Sequence, residues 1–183
     1  MELKKGFIFD RDGVINELVN DNNTLRPPFK LDELKINNEI IKFGKYLIKK
    51  DYILFIVSNQ PDVKRKNLKI NNLNKINENI SNELNLKEIV CEIEDNEKIK
   101  KPSPHMINQL ITKYNLDPLN TWLIGDRWVD ILAANRAQIK CILLEKDYSY
   151  LPTSIGESPD VLKIDIIIKD LSELSEQKIL KNF

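Results

Sequence analysis

The sequence contains few of the residues that build covalent scaffolds. Among its 183 residues there are two cysteines, Cys91 and Cys141, and one histidine, His105. Two cysteines are too few for a disulfide framework, so a chain of this length must be held together by a hydrophobic core. We therefore expect a reduced protein of the cytoplasm.

Long apolar runs and an excess of one charge are missing as well. Runs such as residues 53–57 are far shorter than the roughly 20 residues that a membrane-spanning helix requires. Lys and Arg together number 28, as do Asp and Glu, so the formal net charge is zero. Residues 1–5 lead directly into the first predicted strand and leave no room for a signal peptide. We expect neither a nucleic-acid partner nor a membrane partner.

Short apolar runs alternate with amphipathic segments along the chain. The runs have the length of buried strands, and the segments repeat their apolar residues with the 3.6-residue period of a helix. This alternation predicts a parallel sheet with helices on both faces, an α/β, Rossmann-like three-layer sandwich in one domain of residues 1–183. The predicted strands cover residues 7–9, 53–57, 88–91, 121–124, 140–144 and 164–168, and the predicted helices cover 37–50, 73–84, 103–114, 129–137 and 171–180.

Two stretches interrupt the alternation, and one helix start is marked by its residue types. Residues 14–32 and 148–159 contain turn-forming residues without an apolar period, so we expect irregular structure there. Ser103 and Pro104 predict a helix start, with the serine as N-cap and the proline as first helical residue.

The chain is organised around residues 7–14. Three apolar residues predict a buried strand, and Asp10, Arg11 and Asp12 follow at once, with Gly13 supplying a turn. In open parallel sheets, ligands bind at the carboxyl ends of the strands. Because two neighbouring carboxylates repel each other, we expect a cation between them, and Mg²⁺ is the natural partner of carboxylates and phosphate.

Other polar clusters are predicted to meet the first one. Residues 58–60 and Asp126 each follow a predicted strand, Asp130 lies four residues beyond, and Lys101 precedes a helix. Because parallel strands end at the same edge of a sheet, these side chains should converge. Carboxylates, a hydroxyl, an amide and a lysine suit a Mg²⁺ ion and a phosphoryl group, and a carboxylate can attack phosphorus directly.

The order of these clusters resembles the four motifs of the haloacid dehalogenase (HAD) phosphatase superfamily. Residues 9–16 resemble the first motif, 58–60 the second, 101–104 the third and 125–130 the fourth. The resemblance covers roughly residues 6–145. It is strongest to subfamily IIIA, in the group of heptose-bisphosphate and histidinol-phosphate phosphatases. The resemblance implies a HAD-like fold, and the short segments between the motifs leave no space for a large cap domain.

The resemblance also implies catalytic roles. Asp10 would be the nucleophile that takes the phosphoryl group. Asp12 would be the general acid for the leaving alcohol and then the general base for the hydrolytic water. Ser58 and Lys101 would hold the phosphoryl oxygens.

Metal ligands follow from the same resemblance. Asp10, the backbone carbonyl of Asp12, and Asp126 would ligate Mg²⁺, and Asp130 would be a further metal partner. Many members of the group also carry a zinc loop with three cysteines and a histidine before the lysine motif. Here the matching stretch keeps only Cys91, so we expect no zinc.

Contacts to the rest of the substrate are expected from residues beside the motifs. Asn59 and Gln60 follow the serine, Lys100 stands where the group usually has arginine, and Arg127 follows Asp126. A lysine offers a point charge rather than a planar fork, which would weaken bidentate recognition at position 100. Further cations that could meet a second anionic group are Arg11, Arg26, Lys64 and Arg65.

The expected function is Mg²⁺-dependent hydrolysis of a phosphomonoester by a monomer or weak oligomer. The leading substrate is a sugar phosphate such as D-glycero-D-manno-heptose 1,7-bisphosphate. The alternatives are a histidinol-phosphate phosphatase, a polynucleotide 3′-phosphatase and a catalytically silent HAD domain used as a binding module. Zero net charge counts against the polynucleotide, and the complete set of motifs counts against the silent domain. Substrate choice is expected in the loops 14–32 and 92–100.

Overall fold

The structure is a computed structural model that describes residues 2–154 and 156–183. Strands and helices alternate along this part of the chain. The strands are β1 (Lys4–Phe9), β2 (Val19–Asp21), β3 (Thr24–Arg26), β4 (Tyr52–Asn59), β5 (Glu88–Glu92), β6 (Leu116–Gly125), β7 (Lys140–Leu144) and β8 (Ile166–Ile168). The helices are α1 (Asn38–Lys49), α2 (Ile70–Leu84), α3 (His105–Tyr114), α4 (Trp128–Arg136) and α5 (Gln177–Leu180).

Six of these strands form one parallel sheet in the order β5-β4-β1-β6-β7-β8. Strand β1 lies inside the sheet, between β4 and β6, and its three apolar residues, 7–9, are completely buried. Side chains alternate between the two faces of a strand. Phe7 and Phe9 therefore pack with buried residues of α1 and α2, whereas Ile8 packs on the opposite face with buried residues of α3 and α4. The predicted three-layer α/β sandwich with a parallel sheet is confirmed.

The prediction of an irregular stretch over residues 14–32 was wrong in part. Strands β2 and β3 form an antiparallel hairpin there, with Asn22 and Asn23 at positive φ in its turn. Asparagine tolerates this backbone region, which a tight hairpin turn requires. The hairpin was missed because strands of three residues with few apolar side chains carry no readable period. Residues between the first two motifs thus form this hairpin, a 3₁₀ turn (Leu31–Glu33) and α1, without a large cap.

Several element boundaries also differ from the prediction. Helix α3 begins at His105, so neither Ser103 nor Pro104 holds its predicted position, although the Ser103 hydroxyl accepts the His105 N–H at 3.3 Å. The predicted helix over 171–180 is divided into a 3₁₀ turn (Leu171–Ser175) and α5. Ile155, in the predicted loop 148–159, lies outside the described residues.

Helix length bears on the membrane prediction. Within residues 2–154 and 156–183, no helix combines the length and the apolar character that crossing a membrane would demand.

Candidate active site

The carboxyl ends of three neighbouring strands bring the predicted site residues together. Asp10 follows β1, Ser58 and Asn59 end β4, and Asp126 follows β6. The Asp10 N–H donates to the Ile124 carbonyl at 2.8 Å, so the backbone at Asp10 remains tied to the sheet. Each functional side chain therefore starts from a backbone position that the sheet holds fixed.

A cavity of about 510 Å³ opens at this edge of the sheet. Residues of the β2–β3 hairpin, of the segment after β4 and of the turn after β7 complete its lining. Gln60 and Lys100 do not belong to this lining. The predicted site residues that line the cavity are Asp10, Asp12, Ser58, Asn59, Lys101, Asp126, Arg127 and Asp130.

Three carboxylates form a cluster in the cavity. One oxygen from each of Asp10, Asp126 and Asp130 lies within 4.8 Å of the others, and all three residues are buried. The ammonium of Lys101 lies 2.5 Å from Asp10 Oδ1 and 2.6 Å from Asp130 Oδ1. One ammonium does not balance three carboxylates, so the cluster has a place for a further positive charge.

The pKa values of these groups reflect the excess of carboxylates over ammonium groups in the cluster. Burial raises the pKa of Asp10 to about 7, although the attraction of Lys101 acts in the opposite direction. Burial and the neighbouring Asp10 and Asp130 carboxylates also raise the pKa of Asp126 well above its usual value. Burial lowers the pKa of Lys101, but the attraction of Asp10 and Asp130 outweighs this effect, and the pKa is raised overall.

The donor set fits a divalent cation that prefers oxygen ligands. Asp130 Oδ1 is buried without a hydrogen bond of good geometry, and the Lys101 ammonium lies 2.6 Å from it. Carboxylate oxygens clustered in this way are the ligands that such a cation prefers. Asp10, Asp126 and Asp130 could therefore hold such an ion together. The Asp12 carboxylate lies outside this cluster.

The Asp12 side chain is held by three neighbours. Arg11, which is completely buried, donates through Nε at 3.2 Å and through Nη2 at 2.9 Å. The Gln60 amide donates to Asp12 Oδ2 at 2.6 Å, and the Asn16 amide donates to Oδ1 at 3.1 Å. The remaining arm of Arg11 donates to Asn77 at 3.0 Å. Asp12 is thereby fixed in orientation beside Asp10.

The amides of the second motif also bind protein groups. Asn59 accepts the Lys101 N–H at 2.8 Å and donates to the Lys101 carbonyl at 2.9 Å. The Gln60 amide donates to the Ser58 hydroxyl at 2.8 Å, in addition to Asp12. Both side chains were predicted to contact substrate, and in the structure their amides hold Lys101, Ser58 and Asp12.

Lys100 is directed to a different partner from the one expected. Its ammonium lies 2.7 Å from Asp95 in the loop that precedes it. The same loop is organised by Glu92, whose Oε1 accepts the N–H groups of Glu94 at 2.8 Å and Asn96 at 3.2 Å. Hydrogen bonds and an ion pair thus hold this loop in the shape that brings Lys101 to the cavity.

Arg127, a predicted substrate contact, lies on the cavity wall. Its guanidinium lies 5.2 Å from the centre of the Tyr148 ring, and in the described part of the chain it forms no ion pair with a carboxylate. Arg26 also lines the cavity, but its guanidinium is paired with Asp21 and Glu33. Arg127 is therefore the better candidate for binding a second anionic group.

Sequence reasoning missed the contributions of Arg11 and Tyr148. Arg11 was considered only as a substrate contact, whereas the structure has it buried against Asp12 and outside the cavity lining. Tyr148 donates from its hydroxyl to Asp126 Oδ2 at 2.7 Å. It belongs to a stretch without periodicity or a motif, so no local signal marked it.

Known proteins have sequences related to this one. The family model described as HAD-hydrolase-like matches residues 98–174. A D-glycero-alpha-D-manno-heptose-1,7-bisphosphate 7-phosphatase of Photorhabdus laumondii is 29% identical over 169 residues, which are 84% of this chain and 87% of the relative. A D-glycero-beta-D-manno-heptose-1,7-bisphosphate 7-phosphatase of Haemophilus ducreyi is 25% identical over 186 residues, 93% and 96% of the two chains.

Solved structures share the fold. The D,D-heptose 1,7-bisphosphate phosphatase of B. bronchiseptica, crystallised with magnesium and phosphate, superimposes with a TM-score of 0.74 at 21% identity, over 97% of this chain and 99% of that one. The matched family model, the relatives that extend over most of the sequence and the shared sheet agree with the resemblance carried by the four motifs. The chain is thus similar to HAD-like hydrolases, through the family-model match at residues 98–174 and through two heptose-bisphosphate phosphatases that align with most of it.

Proposed function

We propose that this protein is a Mg²⁺-dependent phosphatase that removes the 7-phosphate from a D-glycero-D-manno-heptose 1,7-bisphosphate. The observation that carries the proposal is the buried cluster of Asp10, Asp126 and Asp130 around the Lys101 ammonium, at the carboxyl edge of the sheet. The names of relatives that match over most of their length support the substrate. We propose that the chain acts as a single domain in the cytoplasm.

The three clustered carboxylates would hold the Mg²⁺ ion. A bound Mg²⁺ ion supplies positive charge that reduces the repulsion between an anionic nucleophile and an anionic phosphate. Lys101 contributes a second cation on the same side, within reach of Asp10. With this arrangement Asp10 stays ionised at neutral pH although it is buried.

The chemistry would proceed in two steps on Asp10. In the first, an Asp10 carboxylate oxygen bonds to phosphorus while the ester bond to the sugar oxygen breaks, and Asp12 gives a proton to that oxygen. In the second, a water oxygen attacks the aspartyl phosphate, Asp12 takes the water proton, and Asp10 and inorganic phosphate are released. Ser58 and Lys101 hold the phosphoryl oxygens throughout.

The neighbours of Asp12 suit this double role. A general acid and base must remain close to the reacting oxygen in both steps, so its orientation matters as much as its acidity. Arg11, Gln60 and Asn16 hold the Asp12 carboxylate from three sides. The side chain lies outside the carboxylate cluster and lines the cavity in which the leaving group would lie.

A bisphosphate suits the cations of the cavity. Lys101 lies at the nucleophile and would meet the phosphate that is cleaved. Arg127 lies on the wall without a carboxylate partner in the described part of the chain and would meet the second phosphate. The hairpin β2–β3 lines the same cavity and would contact the sugar between them.

A substrate panel tests the proposal. Phosphate release is measured with Mg²⁺ and with a chelator for both anomers of heptose 1,7-bisphosphate, a heptose 7-phosphate, histidinol phosphate and a 3′-phosphorylated oligonucleotide. We expect the highest kcat/KM for a heptose bisphosphate and no turnover in the chelator. In Asp10→Asn, kcat should fall by at least about 10³-fold, as for the loss of other nucleophiles. The control Asp160→Asn, which changes an exposed carboxylate, should retain activity. A higher kcat/KM for another member of the panel would reassign the substrate, and turnover by Asp10→Asn would remove its assigned role.

A further inference from the structure

The turn after β7 holds Asp126 at two points. The Tyr148 hydroxyl donates to Asp126 Oδ2 at 2.7 Å, and the Ser149 hydroxyl donates to the Asp126 backbone carbonyl at 2.6 Å. The Ser149 carbonyl in turn accepts the Trp128 N–H at 2.9 Å. Because β7 lies next to β6 in the sheet, the turn at its end is brought over the residue that follows β6. Two consecutive residues thus fix both the side chain and the backbone of Asp126.

Gly13 closes the space around the same carboxylate oxygen. A Cβ atom at position 13 would lie 2.0 Å from Asp126 Oδ2 and 3.1 Å from the Tyr148 hydroxyl oxygen. The Asp126 oxygen therefore occupies space that only glycine leaves open, and the tyrosine hydroxyl keeps it there. Among the described residues, Asp126 Oδ1 accepts no hydrogen bond, so this oxygen is available to a cation.

Tyr148 is suited to donate rather than to accept. A carboxylate oxygen can only accept, so in the 2.7 Å contact with Asp126 Oδ2 the Tyr148 hydroxyl is the donor. The ring of the same residue lies under the Arg127 guanidinium, 5.2 Å from its centre. One side chain thus contacts a candidate metal ligand through its hydroxyl and a candidate substrate-binding cation through its ring.

We propose that Tyr148 is a positioning residue of the metal site, whose hydroxyl orients the Asp126 carboxylate for the ion that Asp10, Asp126 and Asp130 hold. This inference rests on the proposed function, because it requires that the carboxylate cluster binds Mg²⁺. Outer partners that hydrogen-bond to a metal ligand fix its orientation, and their loss typically weakens metal binding by about 10- to 100-fold. Tyr148 is not a ligand itself and acts through Asp126.

The test is Tyr148→Phe, which removes the hydroxyl and keeps the ring against Arg127. Mg²⁺ binding to the substrate-free protein is measured by calorimetry and by the rise in Tm with Mg²⁺ concentration. We expect a dissociation constant about 10- to 100-fold higher than that of the wild type. We also expect the wild-type kcat to return at saturating Mg²⁺, with an unchanged KM for the sugar phosphate. Tyr150→Phe is the matched control, because that hydroxyl is 3.5 Å from Glu145 at the surface.

The outcomes separate this inference from the proposed function. Equal Mg²⁺ affinity in Tyr148→Phe and wild type overturns the inference, as does a loss of kcat that saturating Mg²⁺ leaves uncorrected. A wild type that neither binds Mg²⁺ nor hydrolyses any substrate of the panel overturns the proposed function and the inference with it. If Tyr148→Phe does not fold, Tyr148→Leu takes its place. That variant removes the same hydroxyl, and weaker Mg²⁺ binding supports the inference whereas unchanged binding overturns it.

Discussion

The ammonium of Lys101 lies 2.5 Å from Oδ1 of Asp10, and this ion pair is almost completely buried. The same ammonium lies 2.6 Å from Asp130, so one lysine stands between two members of the carboxylate cluster. A buried charge that loses its partner is strongly destabilising. The pair therefore links the stability of the metal-free protein to the groups proposed for catalysis, and both can be measured.

Replacing Lys101 with methionine should impair both properties. Loss of a cation that holds phosphoryl oxygens should lower kcat by about 10²-fold or more. In a chelator at pH 8, the free energy of unfolding should fall by about 3 kcal/mol, because the carboxylates are left without their cation. Urea denaturation and steady-state assays measure the two effects. Lys98→Met, at an exposed position nearby, should change neither. Wild-type kcat in Lys101→Met would show that the lysine does not assist the reaction.

The metal-free protein should lose stability as pH rises from 5 to 8. Burial raises the pKa of Asp10 from its usual 3.8 to about 7, and the pKa of Asp126 is also raised. The folded protein thus binds these protons more tightly than the unfolded chain, so the stability that they contribute is lost as pH approaches 7. Asp10 alone corresponds to about 3 kcal/mol over this interval. Carboxyls with lowered pKa, such as Glu33 at about 2, change stability only at lower pH.

Urea denaturation in a chelator at several pH values measures this dependence. A saturating concentration of Mg²⁺ should flatten the profile, because a bound cation favours the ionised carboxylates. Asp126→Asn should reduce the slope, since it removes one of the groups with a raised pKa. A profile that is equally steep with and without Mg²⁺ would contradict the assignment of these carboxylates to a metal site.

Gly13→Ala should abolish Mg²⁺ binding in addition to lowering the stability of the protein. Gly13 has φ of +93°, and an added Cβ would lie 2.0 Å from Asp126 Oδ2. Strain in this backbone region costs about 1–3 kcal/mol, and the clash would also displace the Asp126 carboxylate. Gly156→Ala is the matched control, because φ is +130° there and nothing lies within 4 Å of the added atom. Both variants should lose stability, but Gly13→Ala alone should lose Mg²⁺ binding. Retained binding would show that the carboxylate is not held at this place.

Replacing Arg127 should weaken substrate binding much more than replacing Lys100. Arg127→Met removes a guanidinium from the cavity wall, and a charge-assisted hydrogen bond of about 1.5–3 kcal/mol corresponds to a rise in KM of about 10- to 100-fold. The rise should be larger for a bisphosphate than for a monophosphate. Lys100→Met should change KM much less, since its ammonium is paired with Asp95. A rise in KM for Lys100→Met equal to that for Arg127→Met would instead support the contact predicted from the sequence for Lys100.

The sequence was sufficient to predict the sheet and the meeting of the four motifs. Buried strands such as 53–57 are apolar throughout and end abruptly in polar residues, so their position and direction can be read locally. Convergence then follows from the parallel arrangement, which places Asp10, Ser58 and Asp126 at one edge. The predictions that depended on buried apolar strands and their common direction are therefore the ones confirmed.

The partners within the site could not be predicted, because they depend on contacts between distant segments. Whether the Asn59 amide meets the Lys101 backbone depends on how the loop before Lys101 returns to the sheet. The hydrogen bond from Tyr148 to Asp126 joins two strand ends, 22 residues apart in the chain. Residue type and spacing contain no information about such a contact.

The Asn59 side-chain amide forms two hydrogen bonds with the backbone of Lys101, one as donor and one as acceptor. One amide group accepts and donates as a neighbouring strand would, immediately beyond the end of β4. The Lys101 backbone is consequently held by the last residue of β4 as well as by the loop that delivers it. A change in the length or internal support of that loop would therefore leave the lysine one anchor, the Asn59 amide, on the side of Asp10.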